Sequence, residues 1–88
     1  MRDGVRVNAV NPGPIRTDRL TARVRRLAAE LGVPEAEADR LMMERLGIAR
    51  FGEPAEVADV VAFLAGPGGR FISGQVLRVD GGSQCWPS

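Results

Sequence analysis

The sequence predicts an α/β fold, built as strand, helices, strand, with two parallel strands. Three observations predict it. Val5, Val7 and Ala9 alternate with Arg6, Asn8 and Val10 and run into Pro12-Gly13, the period-two pattern of a strand stopped by a residue with no amide hydrogen. Between residues 18 and 64, apolar side chains recur at helical spacing in three stretches separated by Gly and Pro. Gln75-Val76-Leu77-Arg78-Val79 then forms a second strand, closed by Asp80-Gly81-Gly82. Strands joined by so long a helical crossover are parallel, and the connection is right-handed.

Each element follows from local chemistry. The first strand covers residues 5–10 and reads as buried. Gly13 turns freely and Pro14 fixes its own φ. Thr17 or Asp18 caps the first helix. Leu20, Val24, Leu27 and Leu31 share one face, and Gly32 stops it. Arg23, Arg25 and Arg26 lie off or beside that stripe. They form either a solvated face or a contact for a phosphate or acidic substrate. Pro34 opens the second helix, with Glu35 and Glu37 favouring its positive end. Its stripe is Ala38, Leu41, Met42 and Leu46, and Gly47 ends it. Met42 and Met43 serve packing or an adaptable pocket wall. Pro54 opens the third helix, with Glu53 or Glu56 near its start and Val57, Val60, Val61 and Leu64 as its core face. Gly66-Pro67-Gly68-Gly69 breaks the chain before the second strand.

Composition sets limits. The chain has 88 residues, 44% apolar and 26% charged, which fits one small globular domain or part of a larger one. A domain of this size buries only about 60% of its unfolded surface. The net charge of +1 gives no sign of a nucleic-acid or membrane partner. All 12 basic residues are Arg; Lys, His and Tyr are absent. Coding bias accounts for the Arg usage. Three common catalytic acids and bases are therefore missing, and no catalytic residue is assigned. The single Cys85 has no partner for a disulfide or a metal site. No metal ligand set is read here, and a reducing, cytoplasmic setting fits. Cys85 and Trp86 read as packing or interface residues, and Asp80 as the residue that finishes the second strand.

Three blocks carry a family resemblance: Val7-Asn8-Ala9-Val10-Asn11-Pro12-Gly13-Pro14-Ile15-Arg16-Thr17, Arg50-Phe51-Gly52-Glu53-Pro54-Ala55-Glu56-Val57-Ala58, and Ile72-Ser73-Gly74-Gln75-Val76-Leu77-Arg78-Val79-Asp80-Gly81-Gly82. In order and spacing the chain resembles the C-terminal part of the short-chain dehydrogenase/reductase family, the NAD(P)-dependent oxidoreductases. Its closest flavour looks like the 3-oxoacyl-carrier-protein reductase-like members. The resemblance implies that residues 1–88 form a partial domain, the C-terminal fragment of a Rossmann-like doubly wound parallel sheet. It implies that residues 18–47 are the substrate lid, and that residues 54–82 supply the interface helix and last strand of a homo-oligomer. By position, Pro12 and Gly13 would shape the contact with the nicotinamide of NAD or NADP. The backbone of Ile15 would hydrogen-bond the carboxamide, and the Thr17 hydroxyl would reach the carboxamide or pyrophosphate. On the residues alone, Pro12-Gly13 is a strand terminator and Thr17 an N-cap.

The family's glycine-rich loop, Asn-Asn-Ala-Gly segment, catalytic Ser and Tyr-x-x-x-Lys pair have no counterpart in these residues. They would lie before Met1. The expected function is thus the nicotinamide contacts, lid and interface of an oxidoreductase acting on a small carbonyl or alcohol, inactive alone. The alternative is a non-enzymatic remnant or interaction module that pairs with full-length relatives through its apolar helix and final strand, the first strand's unpaired edge also inviting association.

Overall fold

The computed structural model describes residues 4–83. Cys85 and Trp86 lie outside the described residues. The elements are β1 (Ala9–Pro12), α1 (Asp18–Leu31), α2 (Glu35–Leu46), α3 (Pro54–Ala65), a single 3-10 turn (Pro67–Gly69) and β2 (Val76–Val79). β1 and β2 form a two-stranded parallel sheet, with Ala9 opposite Val76 and Pro12 opposite Val79. The predicted class and strand direction both hold.

The first strand is shorter and later than residues 5–10. The Val7 N–H donates to Ser73 Oγ at 3.3 Å, and Asn8 bonds through its side chain. Its Nδ2 donates to Ile72 O at 3.2 Å, and its Oδ1 accepts from Gln75 N at 3.0 Å. Side chains thus replace ladder bonds along this approach, and only Gly74 N to Val7 O, 2.7 Å, continues the backbone pattern. At the other end, Pro12 belongs to the strand. The bond at that level comes from the next amide, Gly13 N to Val79 O at 2.9 Å, so the missing Pro12 N–H costs the ladder nothing.

The helix ends follow the sequence. Thr17 caps α1, its Oγ1 accepting from Leu20 N at 3.3 Å. Gly32 closes α1 and Gly47 closes α2, both in the left-handed region at φ 66° and 73°. Pro34 is the N-cap of α2, one position earlier than its expected place inside the helix.

Burial concentrates on α1 and α2. One cluster is Val24, Ala28 and Ala38, flanked by Leu27, Val33 and Met42. The other is Leu20, Leu46, Ile48 and Phe51, flanked by Met42 and Met43. Both methionines therefore pack. The α1 stripe is corrected at its end: Ala28 is buried where Leu31 was expected, and Leu31 is half exposed. The close crossing with Ala38 runs along positions four apart, and Leu31 lies past its end.

The sheet end is different. Leu64 is the buried residue of α3, while Val61 and Phe63 are exposed. Val5 is 67% and Val7 71% exposed, and β1 itself has no buried residue, which overturns the expectation of a buried first strand. The strands face only each other, and α3 covers part of one side. The molecule is long, 57 × 20 × 18 Å, with a radius of gyration of 16.4 Å; a compact chain of this length has about 12 Å. Arg6 secures the sheet end to α3. Its Nη1 donates to Leu64 O and Gly69 O, each at 2.7 Å, placing a cation where the helix C-terminus is negative.

Candidate functional site

β1 ends in a turn that three contacts hold. Gly13 bonds to Val79 as described, and its Cα lies so close to Asp80 that a Cβ there would sit 2.8 Å from the Asp80 Cα. Gly52 N donates to Pro14 O at 3.0 Å, and Arg16 N donates to Gly52 O at 2.7 Å. These bonds form a parallel bridge between Ile15 and Gly52. In such a bridge the flanking residues make the bonds. Successive peptide groups along extended chain alternate in direction, so the N–H and C=O of Ile15 point away from Gly52.

Pro12, Gly13, Ile15 and Thr17 line one groove of about 540 Å³ at the carboxyl end of β1. Arg19, Leu20 and Arg23 complete its wall. All four residues singled out in the sequence are brought together. Thr17 both faces the groove and caps α1. Ligand sites in open α/β sheets lie at this end of the strands, and the volume is in the range of small-molecule pockets. The N–H and C=O of Ile15, turned away from Gly52, offer one donor and one acceptor.

Arg16 turns the other way. Its Nη2 meets Asp39 Oδ2 at 2.9 Å, and its guanidinium lies 4.6 Å from the centre of the Phe51 ring. It ties the turn to α2 and to the second cluster. Sequence reasoning missed Arg16–Asp39 and the Gly13–Asp80 approach, because no local spacing links those positions. Arg19 and Arg23 carried a signal: four apart on one helix, they share a face.

Asp80 finishes β2 as expected. Its Oδ1 accepts from Gly82 N at 3.0 Å, and its Oδ2 pairs with Arg78 at 2.9 Å. Among the described residues no group of three or more His, Cys, Asp or Glu could hold a metal ion. Among them no helix is long and apolar enough to cross a membrane.

Behind the turn, a smaller cavity of about 230 Å³ is lined by Pro14, Arg50, Gly52, Glu56 and Asp80, among others. Arg50 grips Glu56 with both ends of its guanidinium, Nη1 to Oε1 at 2.6 Å and Nη2 to Oε2 at 2.8 Å. Glu56 Oε1 also accepts from Glu53 N at 2.9 Å, which caps α3. The Arg50 hydrogen bonds, then the Glu53 amide, hold the Glu56 carboxyl down at about 2, against an ordinary 4.5. A carboxyl lowered on folding stabilises the fold above its unfolded value and stops doing so as pH falls through its folded one. The stability difference between the wild type and Glu56→Gln is therefore expected to be full at pH 7. It should shrink from about pH 4.5 and vanish near pH 2, as thermal unfolding at a series of pH values would record. A difference that stays constant to pH 2 would contradict the assignment. Both side chains are solvent-exposed, so salt should also reduce it.

Comparisons with known proteins give consistent matches. A family model described as enoyl-(acyl carrier protein) reductase matches residues 1–84. A diacetyl reductase [(S)-acetoin forming] of Staphylococcus aureus is 36% identical over 80 residues, covering 91% of this chain and 31% of that protein. Among solved structures, a short chain dehydrogenase family protein from Francisella tularensis superposes with a TM-score of 0.79 at 30% identity, over 90% of this chain and 33% of the other. The L-sorbose reductase of Gluconobacter frateurii, complexed with NADPH and L-sorbose, superposes with a TM-score of 0.76 at 31% identity, over 88% and 30%. The chain spans about a third of the length of these relatives.

Proposed function

We infer the role of this chain from one premise: it belongs to the short-chain dehydrogenase/reductase family. It is the cofactor-and-lid portion, the C-terminal part, of an NAD(P)-dependent oxidoreductase that interconverts a small carbonyl compound and an alcohol. The convergence of Pro12, Gly13, Ile15 and Thr17 on one groove at the end of β1 carries this reading. There Pro12 and Gly13 form the wall against the nicotinamide, and the outward peptide groups of Ile15 bind its carboxamide. The Thr17 hydroxyl accepts from Leu20 N and keeps its own proton to donate to the cofactor. When bound, the cofactor supplies or takes up hydride.

Residues 18–47 form the lid over the substrate. Support comes from the two helical clusters, which bury α1 and α2 mainly on each other and on the connector after α2. Such a self-contained pair moves as a unit over a groove it borders. Residues 54–82 supply a subunit interface, supported by the exposed Val61, Phe63 and Val76. The chain has no Tyr, Lys or His, so none of these three common proton donors is supplied by these residues. Within the family, the reading favours 3-oxoacyl-carrier-protein reductase-like chemistry. The exposed Val5, Val7 and Phe71 favour a second reading, a non-enzymatic module that pairs with longer relatives.

The test is a chimera in which residues 4–83 replace the matching segment of the Staphylococcus aureus diacetyl reductase. The chimera is expected to bind NADH or NADPH, seen as enhanced nicotinamide fluorescence. Thr17→Ala should weaken that binding by roughly 3- to 10-fold, the worth of one hydrogen bond, and Thr17→Ser should restore it. A folded chimera that leaves both dinucleotides unbound would overturn the proposal.

A further inference from the structure

We propose that Arg16 and Asp39 are positioning residues for the cofactor: their ion pair sets how the turn presents Ile15 to the nicotinamide carboxamide, and links that contact to the placement of α2. The inference rests on the reading of the groove as a cofactor site. Arg16 lies between Ile15 and Thr17, and its amide shares one rigid plane with the Ile15 carbonyl. That amide donates to Gly52 O at 2.7 Å. The trans peptide therefore sends the Ile15 carbonyl the opposite way. Whatever tilts Arg16 re-aims an acceptor offered to the cofactor.

Arg16 is held at both ends. Gly52 fixes its amide, and its guanidinium lies 4.6 Å from the ring centre of Phe51, the residue just before Gly52. Neighbouring residues of the connector thus grip its backbone and its side chain. The third hold comes from α2, through Nη2 to Asp39 Oδ2 at 2.9 Å. Asp39 follows Ala38, which is fully buried against Val24 and Ala28, so packing of the helix pair sets its place. No residue of α2 lines the groove. The Asp39–Arg16 pair gives α2 a direct link to the turn.

The surrounding charges leave this pair to itself. Arg40, next to Asp39, is taken up by Glu37 and Glu44 at 2.6 and 3.0 Å. Both side chains of the pair are 31% exposed, and Asp39 Oδ1 is buried without a hydrogen-bond partner. Removing Arg16 leaves a partly buried carboxylate uncompensated. Removing the Asp39 charge leaves the guanidinium on the Phe51 ring, a milder loss. Linkage is reciprocal: if the seating of α2 strengthens the cofactor contact, bound cofactor stabilises that seating by the same factor.

The experiment uses the chimera carrying residues 4–83, with Arg16→Gln, Asp39→Asn, the double variant and Arg16→Lys. NADPH affinity is read from nicotinamide fluorescence at a temperature where circular dichroism shows each protein folded. Arg16→Gln is expected to weaken binding roughly 5- to 10-fold and Asp39→Asn about 3-fold. The double variant should be no worse than Arg16→Gln, because one interaction is removed only once. Arg16→Lys keeps the charge and should lose less than Arg16→Gln. NADPH should also slow amide hydrogen exchange in α2 of the wild-type chimera. Asp39→Asn should abolish that slowing while retaining it at the turn, which a purely structural role would not do. Losses that multiply in the double variant, or α2 protection in Asp39→Asn equal to the wild type, overturn the proposal. Should Arg16→Gln fail to fold, the exchange measurement on Asp39→Asn decides alone. A folded wild-type chimera that binds no dinucleotide refutes the cofactor reading and this proposal together. Wild-type binding with multiplying losses refutes this proposal alone.

Discussion

Phe51→Ala is expected to remove about 3–5 kcal/mol of stability, the usual cost of deleting a buried aromatic ring. Phe51 is buried among Leu20, Leu46 and Ile48, and its ring also carries the Arg16 guanidinium. Loss of the ring leaves a cavity where α1, α2 and the connector meet. It also releases the residue that holds the turn against Asp39. At roughly 4–8 °C per kcal/mol for a chain of this size, the melting temperature should fall by more than about 12 °C or the transition should disappear. Phe51→Leu retains most of the apolar volume and loses only the ring face, so it should cost about 1 kcal/mol. Thermal unfolding followed by circular dichroism separates the two. If Phe51→Ala and Phe51→Leu melt together within a few degrees, the ring does not organise this end of the molecule.

Gly13→Ala is the second large effect, and its cause is space. Gly13 is not one of the left-handed glycines. A methyl group there would overlap the Cβ of Asp80 and approach its Cα to 2.8 Å. Asp80 cannot readily give way. It is fixed by Arg78 and by the amide of Gly82, while its carbonyl accepts from Ser83 N at 3.0 Å. The added methyl must therefore part the turn from β2 and break the Gly13–Val79 hydrogen bond. The expected cost is about 3 kcal/mol, at the upper end for overpacking. The amide of residue 13 should exchange with solvent far faster than in the wild type. Gly32→Ala provides the contrast. Gly32 has open space around it and a φ of 66°, so its Ala variant is strained only in the backbone, by about 1–2 kcal/mol. Equal losses for the two variants would show that the Asp80 approach is unimportant.

Both variants bear on the groove as well as on stability. Gly13 forms its wall, and Phe51 positions Arg16 between Ile15 and Thr17. A loss of cofactor binding in Gly13→Ala that exceeds its loss of folded population would separate the local effect from the global one.

The chain's local punctuation was legible in the sequence. Thr17, Gly32, Pro34, Gly47 and Pro54 mark helix ends because capping and φ preferences act within a few residues. The parallel strand order followed from the helical crossover between two short apolar runs. The four groove residues were legible through the family resemblance of the block around them; on their own, Pro12-Gly13 announces only a strand end and Thr17 only a helix cap. Burial was less legible. Leu31 and Val61 have the spacing of core residues yet are exposed, since periodicity identifies a face without saying what covers it.

The sequence by itself determined where each helix starts and stops, the α/β class, and the chemistry available to the site: hydroxyl, peptide groups and arginine, with no histidine, lysine or tyrosine. These depend on neighbours along the chain or on composition alone. Only the tertiary structure decided that Gly13 rests on Asp80, that Gly52 bridges Ile15, that Arg16 is engaged by Asp39 and Phe51, and that Arg19 and Arg23 border the groove. All but the last join residues tens of positions apart, and the last depends on how α1 leaves the turn. Their energies depend on distances of a few ångströms that no pattern of residue types encodes, and that packing alone sets.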